Sequence, residues 1–362
     1  MRFHFSALLL TLLTASTLIG SAPPASAQIA LSDDLRLDVA GGIQPRVSFG
    51  VEDDGTSEAT RVGVGLRRAR IQARVLYGDA AGVEYDVELG SGAVQSVDLF
   101  AFATLSEAVQ ARVGYFPVAQ PRGAILTPYF LIDAVDRAAI VERWLGGTLG
   151  GDGRDLALDV TYAAGGTRLT AAVHNGSGSF ARDVGNYREG ISSPDVVNGP
   201  QTEGLAVSAA GSVGVGRGVE VGAFAGLNES EPARTGGRSY VTGGAHLYWG
   251  ALPGSQPVRL KLDALALRYE DTGAGAQEAV GVSALGAVRV FGAGEAFARA
   301  ERFWADVDAA GDDYLTGGLS YSLSAARGGP YERARVSLAY QYRGGGPLGD
   351  AHLVILQGQL AF

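Results

Sequence analysis

The chain has 362 residues, a formal net charge of −9, 54 glycines and no cysteine; 46% of it is hydrophobic but only 19% is charged. The hydrophobic fraction is too large for a disordered chain, and neither long amphipathic helices nor alternating strand–helix units are present for a soluble α or α/β domain. Without cysteine there is no disulfide framework, so an exported chain of this kind must draw its stability from another source.

Residues 1–27 carry Arg2, an apolar stretch from about Phe5 to Ile19, and the small-residue triplet Ala25-Ser26-Ala27. They read as a secretory signal peptide that leaves Gln28 as the new N-terminus. Its removal takes away Arg2 and no acid, which moves the net charge from −9 to −10. No later apolar run is long enough for a helical span, so only strands can carry residues 28–362 through a membrane.

From there the chain divides into sixteen alternating segments: 35–50, 61–77, 82–90, 95–105, 108–116, 154–163, 167–176, 203–214, 218–228, 239–250, 257–270, 278–291, 294–306, 313–326, 331–343 and 351–362. Their lengths fit tilted strands crossing a bilayer, and the even count fits a closed antiparallel up-and-down β-barrel. In the second segment the polar parity changes. Arg61 and Arg67 oppose Val62, Val64 and Leu66, whereas Arg68, Arg70 and Arg74 oppose Ala69, Ile71, Ala73 and Val75. A β-bulge between Arg67 and Arg68 would bring all five arginines to one face. Facing lipid, each would cost roughly 2–4 kcal/mol, so the shared face is expected to line a wet interior. The next segment places Val83, Tyr85, Val87 and Leu89 on one face and Glu84, Asp86 and Glu88 on the other. The short turn at 78–81 sets those acids beside the arginines, either as a self-neutralised wall or as a basic ladder with cations in excess. Arg112 continues the polar face on the fifth segment.

Residues 117–153 form the longest connection. Tyr129–Trp144 has helical spacing, and the loop is expected to fold inward after the fifth barrel strand. It would narrow the pore with Asp133, Asp136, Arg137, Glu142 and Arg143; an external lid or subunit contact is the other reading. Short connections at 78–81, 106–107, 164–166, 215–217, 251–256, 292–293 and 327–330 alternate with mostly longer ones, as barrel turns and external loops do. Tyr77, Tyr115, Tyr162, Trp249 and Tyr342 near segment ends suggest interface girdles. Small residues at interior positions, such as Gly222, Gly244, Ser283 and Ala287, argue against a plugged interior. The last segment ends on Phe362, a terminal aromatic resembling the signal read by the outer-membrane barrel-assembly machinery. His174, His246 and His352 lie on separate segments and read as wall residues, so neither an enzyme nor a cofactor or metal site is expected.

Several stretches resemble, in order and spacing, the phosphate-selective porin O and P family. They are Leu66-Arg67-Arg68-Ala69-Arg70-Ile71, the acidic strand after it, Val97-Asp98-Leu99-Phe100, Arg112-Val113-Gly114-Tyr115-Phe116-Pro117, Gly153-Arg154-Asp155-Leu156 and Val173-His174-Asn175-Gly176-Ser177-Gly178. The resemblance covers roughly residues 35–180 and implies a sixteen-stranded barrel, a homotrimer and an inward third external loop. Phosphate-selective members line the pore with arginines and lysines, whereas Lys261 is the only lysine here. The expected function is a passive outer-membrane channel for small hydrophilic solutes, leaning toward inorganic anions. A general or cation-leaning pore and a closed structural or adhesion barrel are the alternatives. Outer-membrane lipid is an expected partner and nucleic acid is not.

Overall fold

The computed structural model describes residues 27–53, 58–90, 92–124, 126–149, 153–176, 206–228, 239–271, 275–307, 309–346 and 349–362. Residues 1–26 of the expected signal peptide 1–27 and the whole 177–202 connection, Ser177 included, lie outside them. Strand β1 is Ala27–Ala30 and β2 is Leu35–Asp53; β3 (Glu58–Tyr77), β4 (Ala81–Glu88), β5 (Gln95–Ser106) and β6 (Val109–Pro117) follow. After the long loop come β7 (Arg154–Ala164), β8 (Thr167–His174), β9 (Ala206–Gly214), β10 (Val219–Asn228), β11 (Tyr240–Trp249) and β12 (Val258–Asp271). The chain ends with β13 (Gly275–Phe291), β14 (Gly294–Trp304), β15 (Asp312–Ser322), β16 (Ala334–Gly344) and β17 (Asp350–Ala361).

Each of β2–β17 pairs antiparallel with the next, and β17 returns to β2, so sixteen strands close a barrel. Closure satisfies the backbone of every strand within the sheet, which is what lipid demands of a spanning chain. At the seam, Gly41 N–H donates to Phe362 O and Phe362 N–H donates to Gly41 O, both at 2.9 Å. The short β1, not foreseen from the sequence, pairs Ala27 with Val39 through Ala30 with Arg36. Since β3 holds the other edge of β2, β1 extends the line of β17 beyond the C-terminus.

Alternation sorts the side chains. Val83, Leu99, Val113, Leu158, Val221, Leu262, Leu319, Leu338 and Leu356 are exposed on the outer surface, while charged and polar residues of the opposite parity are buried inside. The outside of the barrel is thus apolar and its inside polar and charged. Tyr77, Tyr162 and Trp249 are exposed at strand ends, but Tyr115 is only 6% exposed. It is flanked in register by Leu99 and Leu156, so it is packed into the wall rather than part of a girdle.

The parity change in β3 is a bulge. Gln44 faces Arg68 and Pro45 faces Leu66, which leaves Arg67 as the extra residue. Pro45 has no N–H to give the ladder, so the irregularity falls where a regular pair could not form anyway. The connections depart from the sequence reading in two places. Strand pairing continues through Asp53 and Glu58, which shrinks the expected 51–60 loop to 54–57. The expected strand over 313–326 stops at Ser322, because Ala325–Arg327 form a 3-10 turn anchored on the Ser322 and Ser324 hydroxyls.

Candidate functional site: the loop across the barrel interior

The loop between β6 and β7 runs through the inside of the barrel. It holds a 3-10 turn, Tyr129–Leu131, and one helix, α1 (Ala139–Gly147). A single helix over Tyr129–Trp144 is therefore not formed, and the reason lies in the carbonyl partners of 130–137. Arg335 donates to Ile132 O and Arg46 to Val135 O, each at 2.9 Å. Arg299 donates to both Asp136 O and Arg137 O at 2.9 Å, and Gln359 to Phe130 O at 3.0 Å. A helix would have turned these carbonyls onto its own N–H groups and left the wall donors without acceptors. Beyond this stretch α1 buries Ile140, Val141, Trp144 and Leu145 against Phe224, Leu265, Leu267 and Phe303 of the wall. Trp144 Nε1 donates to Thr242 Oγ1 at 2.7 Å, and its ring meets Phe224 edge-on at 5.7 Å.

Small interior residues serve this packing instead of keeping the interior open. A Cβ on Gly281 would lie 2.9 Å from Ile140, one on Gly244 2.6 Å from the Phe224 ring, and one on Gly222 2.4 Å from His246. Ser283 and Ala287 are buried too. The β10–β14 side of the interior is thus filled, contrary to the reading that small residues argue against plugging.

Charged groups fix the loop to opposite walls. Asp133 binds Arg259 and takes a 2.6 Å hydrogen bond from Lys261 Nζ, both on β12 and all buried. Asp136 takes 2.9 Å hydrogen bonds from Arg46 of β2 and from the bulged Arg67 of β3. Burial raises both carboxyls, yet the neighbouring cations outweigh it: Asp133 is held below the usual carboxylate range, and Asp136 is brought down to about 2. A carboxylate with a depressed folded value contributes stability above its unfolded value and loses it as pH falls through the folded one. The Asp136 anchor is therefore expected to hold from neutral pH down to about 4 and to fail toward about 2. The check is a pH series of thermal unfolding on wild type and Asp136→Asn. The difference between them should stay constant from pH 7 to about 4 and close below it.

Glu142 lies 3.7 Å from Arg67, with its side chain half exposed. Arg143 reaches Asp312 at 3.3 Å and the Tyr314 hydroxyl at 3.1 Å. Arg137 differs from the rest. Its Nη2 donates to Thr127 O at 2.6 Å, but Nε and Nη1 are buried without partners. Burial and the charges of Arg68, Arg70 and Arg154 lower its guanidinium.

On the facing wall, register sets Arg70 opposite Glu88, Gln72 opposite Asp86 and Arg74 opposite Glu84. Arg70 Nε and Arg74 Nε each lie 2.8 Å from their acids. Arg61 pairs with Glu52 at 3.1 Å toward the far end of β3, away from the neck. Arg68 has no ion pair among the described residues. Arg112 stacks 4.2 Å over Phe116 and is bound to Asp159, in a separate patch with Arg122 and Glu220. Arg46, Arg259, Glu295, Arg299 and Glu301 were not singled out from the sequence, and Asp98 and Arg154 were picked out only within the family-like stretches. Arg154 holds Asp98 at 2.7 Å, Arg259 holds Glu295 at 2.7 Å, and Arg299 holds Glu301 at 2.7 Å. The signal for them was available, since each is a charge on the polar parity of a strand whose other face is apolar.

A closed sixteen-stranded barrel with a long loop folded through its interior is the architecture of the porin class. No family model and no curated protein matches the sequence. Among solved structures, the anion-selective porin from Comamonas acidovorans superposes with a TM-score of 0.64 at 13% identity, over 91% of this chain and 100% of that one. A loop-L8-deleted OmpT, an outer membrane protein of Vibrio cholerae, gives 0.60 at 14% identity over 91% and 100%. Salmonella typhi OmpF in complex with daunomycin gives 0.59 at 11% identity over 92% and 100%. At such identities the likeness is one of fold.

Proposed function

We propose that this chain is an outer-membrane porin, a passive channel for small hydrophilic solutes. The observation that carries the reading is the loop ion-paired to opposite walls: Asp133 to β12 on one side, Asp136 to β2 and β3 on the other. Such a strap sets the width of a neck and lines it with fixed charge, the two quantities from which pore selectivity comes. Solved porins are among the structures of similar shape. In this reading residues 1–27 are removed on export, residues 28–362 form one barrel domain, three copies assemble, and Phe362 serves the assembly machinery. The chain acts without catalysis.

The anion preference is proposed as modest. Four of the five β3 arginines are matched by acids; among the described residues Arg68, Arg137 of the loop and Arg335, which holds the loop at Ile132 O, are cations with no ion pair. Lys261 is buried on Asp133 and adds no open charge. In a KCl gradient across a planar bilayer, the reversal potential should fall on the anion side and move toward zero in Arg68→Ala. A cation-side reversal would replace this by the cation-leaning pore. The closed structural barrel stays as the second reading, favoured by the filled β10–β14 side.

A further inference from the structure

We propose that the free edge of β3 binds an extended acidic peptide, which joins the sheet as a further strand. Its residues would alternate, apolar side chains facing outward and Asp or Glu facing the barrel interior.

β3 overhangs its neighbour. Its pairing with β4 ends at Arg70 opposite Glu88, and beyond that pair only Leu89 N–H reaches it, at Ala69 O, 2.7 Å away. On its other edge β3 stays paired with β2 as far as Glu58 opposite Asp53. From Glu58 to Arg67 the backbone groups that point away from β2 therefore have no partner among the described residues. The side chains show the same gap. On the outer face Val62 is 73% exposed and Val64 83%. Phe49 and Val47, their register partners on β2, have a strand on both sides and are 50% and 45% exposed. On the inner face nothing lies within 4 Å of a Cβ placed on Gly65, and the Arg61 side chain is 75% exposed. An unpaired edge of this length is a template for one more strand.

The paired half of β3 shows what such a strand must carry. There β4 sets Glu88 opposite Arg70 and Glu84 opposite Arg74 on the inner face, and Val87 opposite Ile71 and Val83 opposite Val75 on the outer one. The overhang repeats the pattern, with Arg61 inward and Val62, Val64 and Leu66 outward. Its one acid, Glu58, stands on the outer face at the tip. Arg67 is held by Asp136, which leaves Arg61 as the exposed cation of the edge. Opposite charges and branched apolar residues set across from one another favour pairing, so an incoming strand gains by carrying acids inward and apolar residues outward. Arg61 can turn to such an acid without stranding Glu52, because Glu52 also takes Arg343 at 2.9 Å. Inward charge and a bulge are devices that keep an edge from joining a like strand. Here they refuse a second β3 and admit an acidic one.

The test uses the full chain folded in detergent and short capped peptides that alternate valine with glutamate or valine with lysine. Hydrogen exchange read by mass spectrometry should show the amides of 58–67 slowed by the glutamate peptide. That peptide should bind about tenfold tighter or more than the lysine one. The same peptide N-methylated throughout cannot donate along its edges and should not bind. Arg61→Glu should turn the preference to the lysine peptide, a reversal that loss of folding cannot produce. Equal binding of the two peptides, or no added protection at 58–67, would overturn the proposal. So would slow exchange at 58–67 before any peptide is added that is lost on separation into single barrels, since a second copy would then hold the edge.

Discussion

Asp133→Ala is expected to destabilise the folded protein by about 3–5 kcal/mol, the cost of leaving a buried charge without its partner. Asp133 is the acid that Arg259 and Lys261 share. Arg259 would keep Glu295, but Lys261 would be left with only the Tyr248 ring at 5.0 Å. The loss should fall on the loop before the barrel, because the sheet's hydrogen bonds are untouched. Thermal unfolding followed by heat-modifiable gel mobility would read the stability, and single-channel current noise would read the freed loop. Adding Lys261→Met to the same chain removes the stranded ammonium and should recover at least about half of the loss. A double variant as unstable as the single one would show that Lys261 is not the group left unpaired.

Trp144→Ala is expected to cost a similar amount, about 3–5 kcal/mol, as large-to-small changes at buried aromatic positions do. The indole is buried, meets Phe224 edge-on and hydrogen-bonds Thr242 across the interior. Its removal would take away the main contact holding α1 on the β10–β12 wall and should widen the neck, raising the unit conductance. Trp144→Phe keeps the ring and loses the hydrogen bond, so it should cost about 1 kcal/mol and change the conductance little. If both variants left the conductance at the wild-type value, α1 would not shape the neck.

The barrel was legible from the sequence because a period of two is repeated in every strand and marks both faces at once. All sixteen barrel strands were found at their places, with ends displaced by a few residues where pairing outlasts the polarity pattern, as at Asp53 and Glu58. The bulge at Arg67 was visible for the same reason: a one-residue slip exchanges the faces, so the parity of the arginines on either side reveals it. The interior was less legible. Helical spacing over Tyr129–Trp144 is real, but Arg46, Arg299, Arg335 and Gln359 claim the backbone of its first half, and no local pattern shows donors that lie far off in sequence. The small interior residues misled in a similar way. Whether Gly244 leaves space or receives Phe224 depends on a cross-strand neighbour, which alternation alone does not identify. β1 was missed because four residues are too few to display a period.

Whether the strapped barrel conducts decides between a channel and a closed barrel. Purified protein that migrates as a folded, heat-modifiable barrel would be added to a planar bilayer in symmetric KCl. Uniform, stable conductance steps, larger in Trp144→Ala, are the predicted result. Folded protein that gives no steps in either form would contradict the channel and leave a closed barrel.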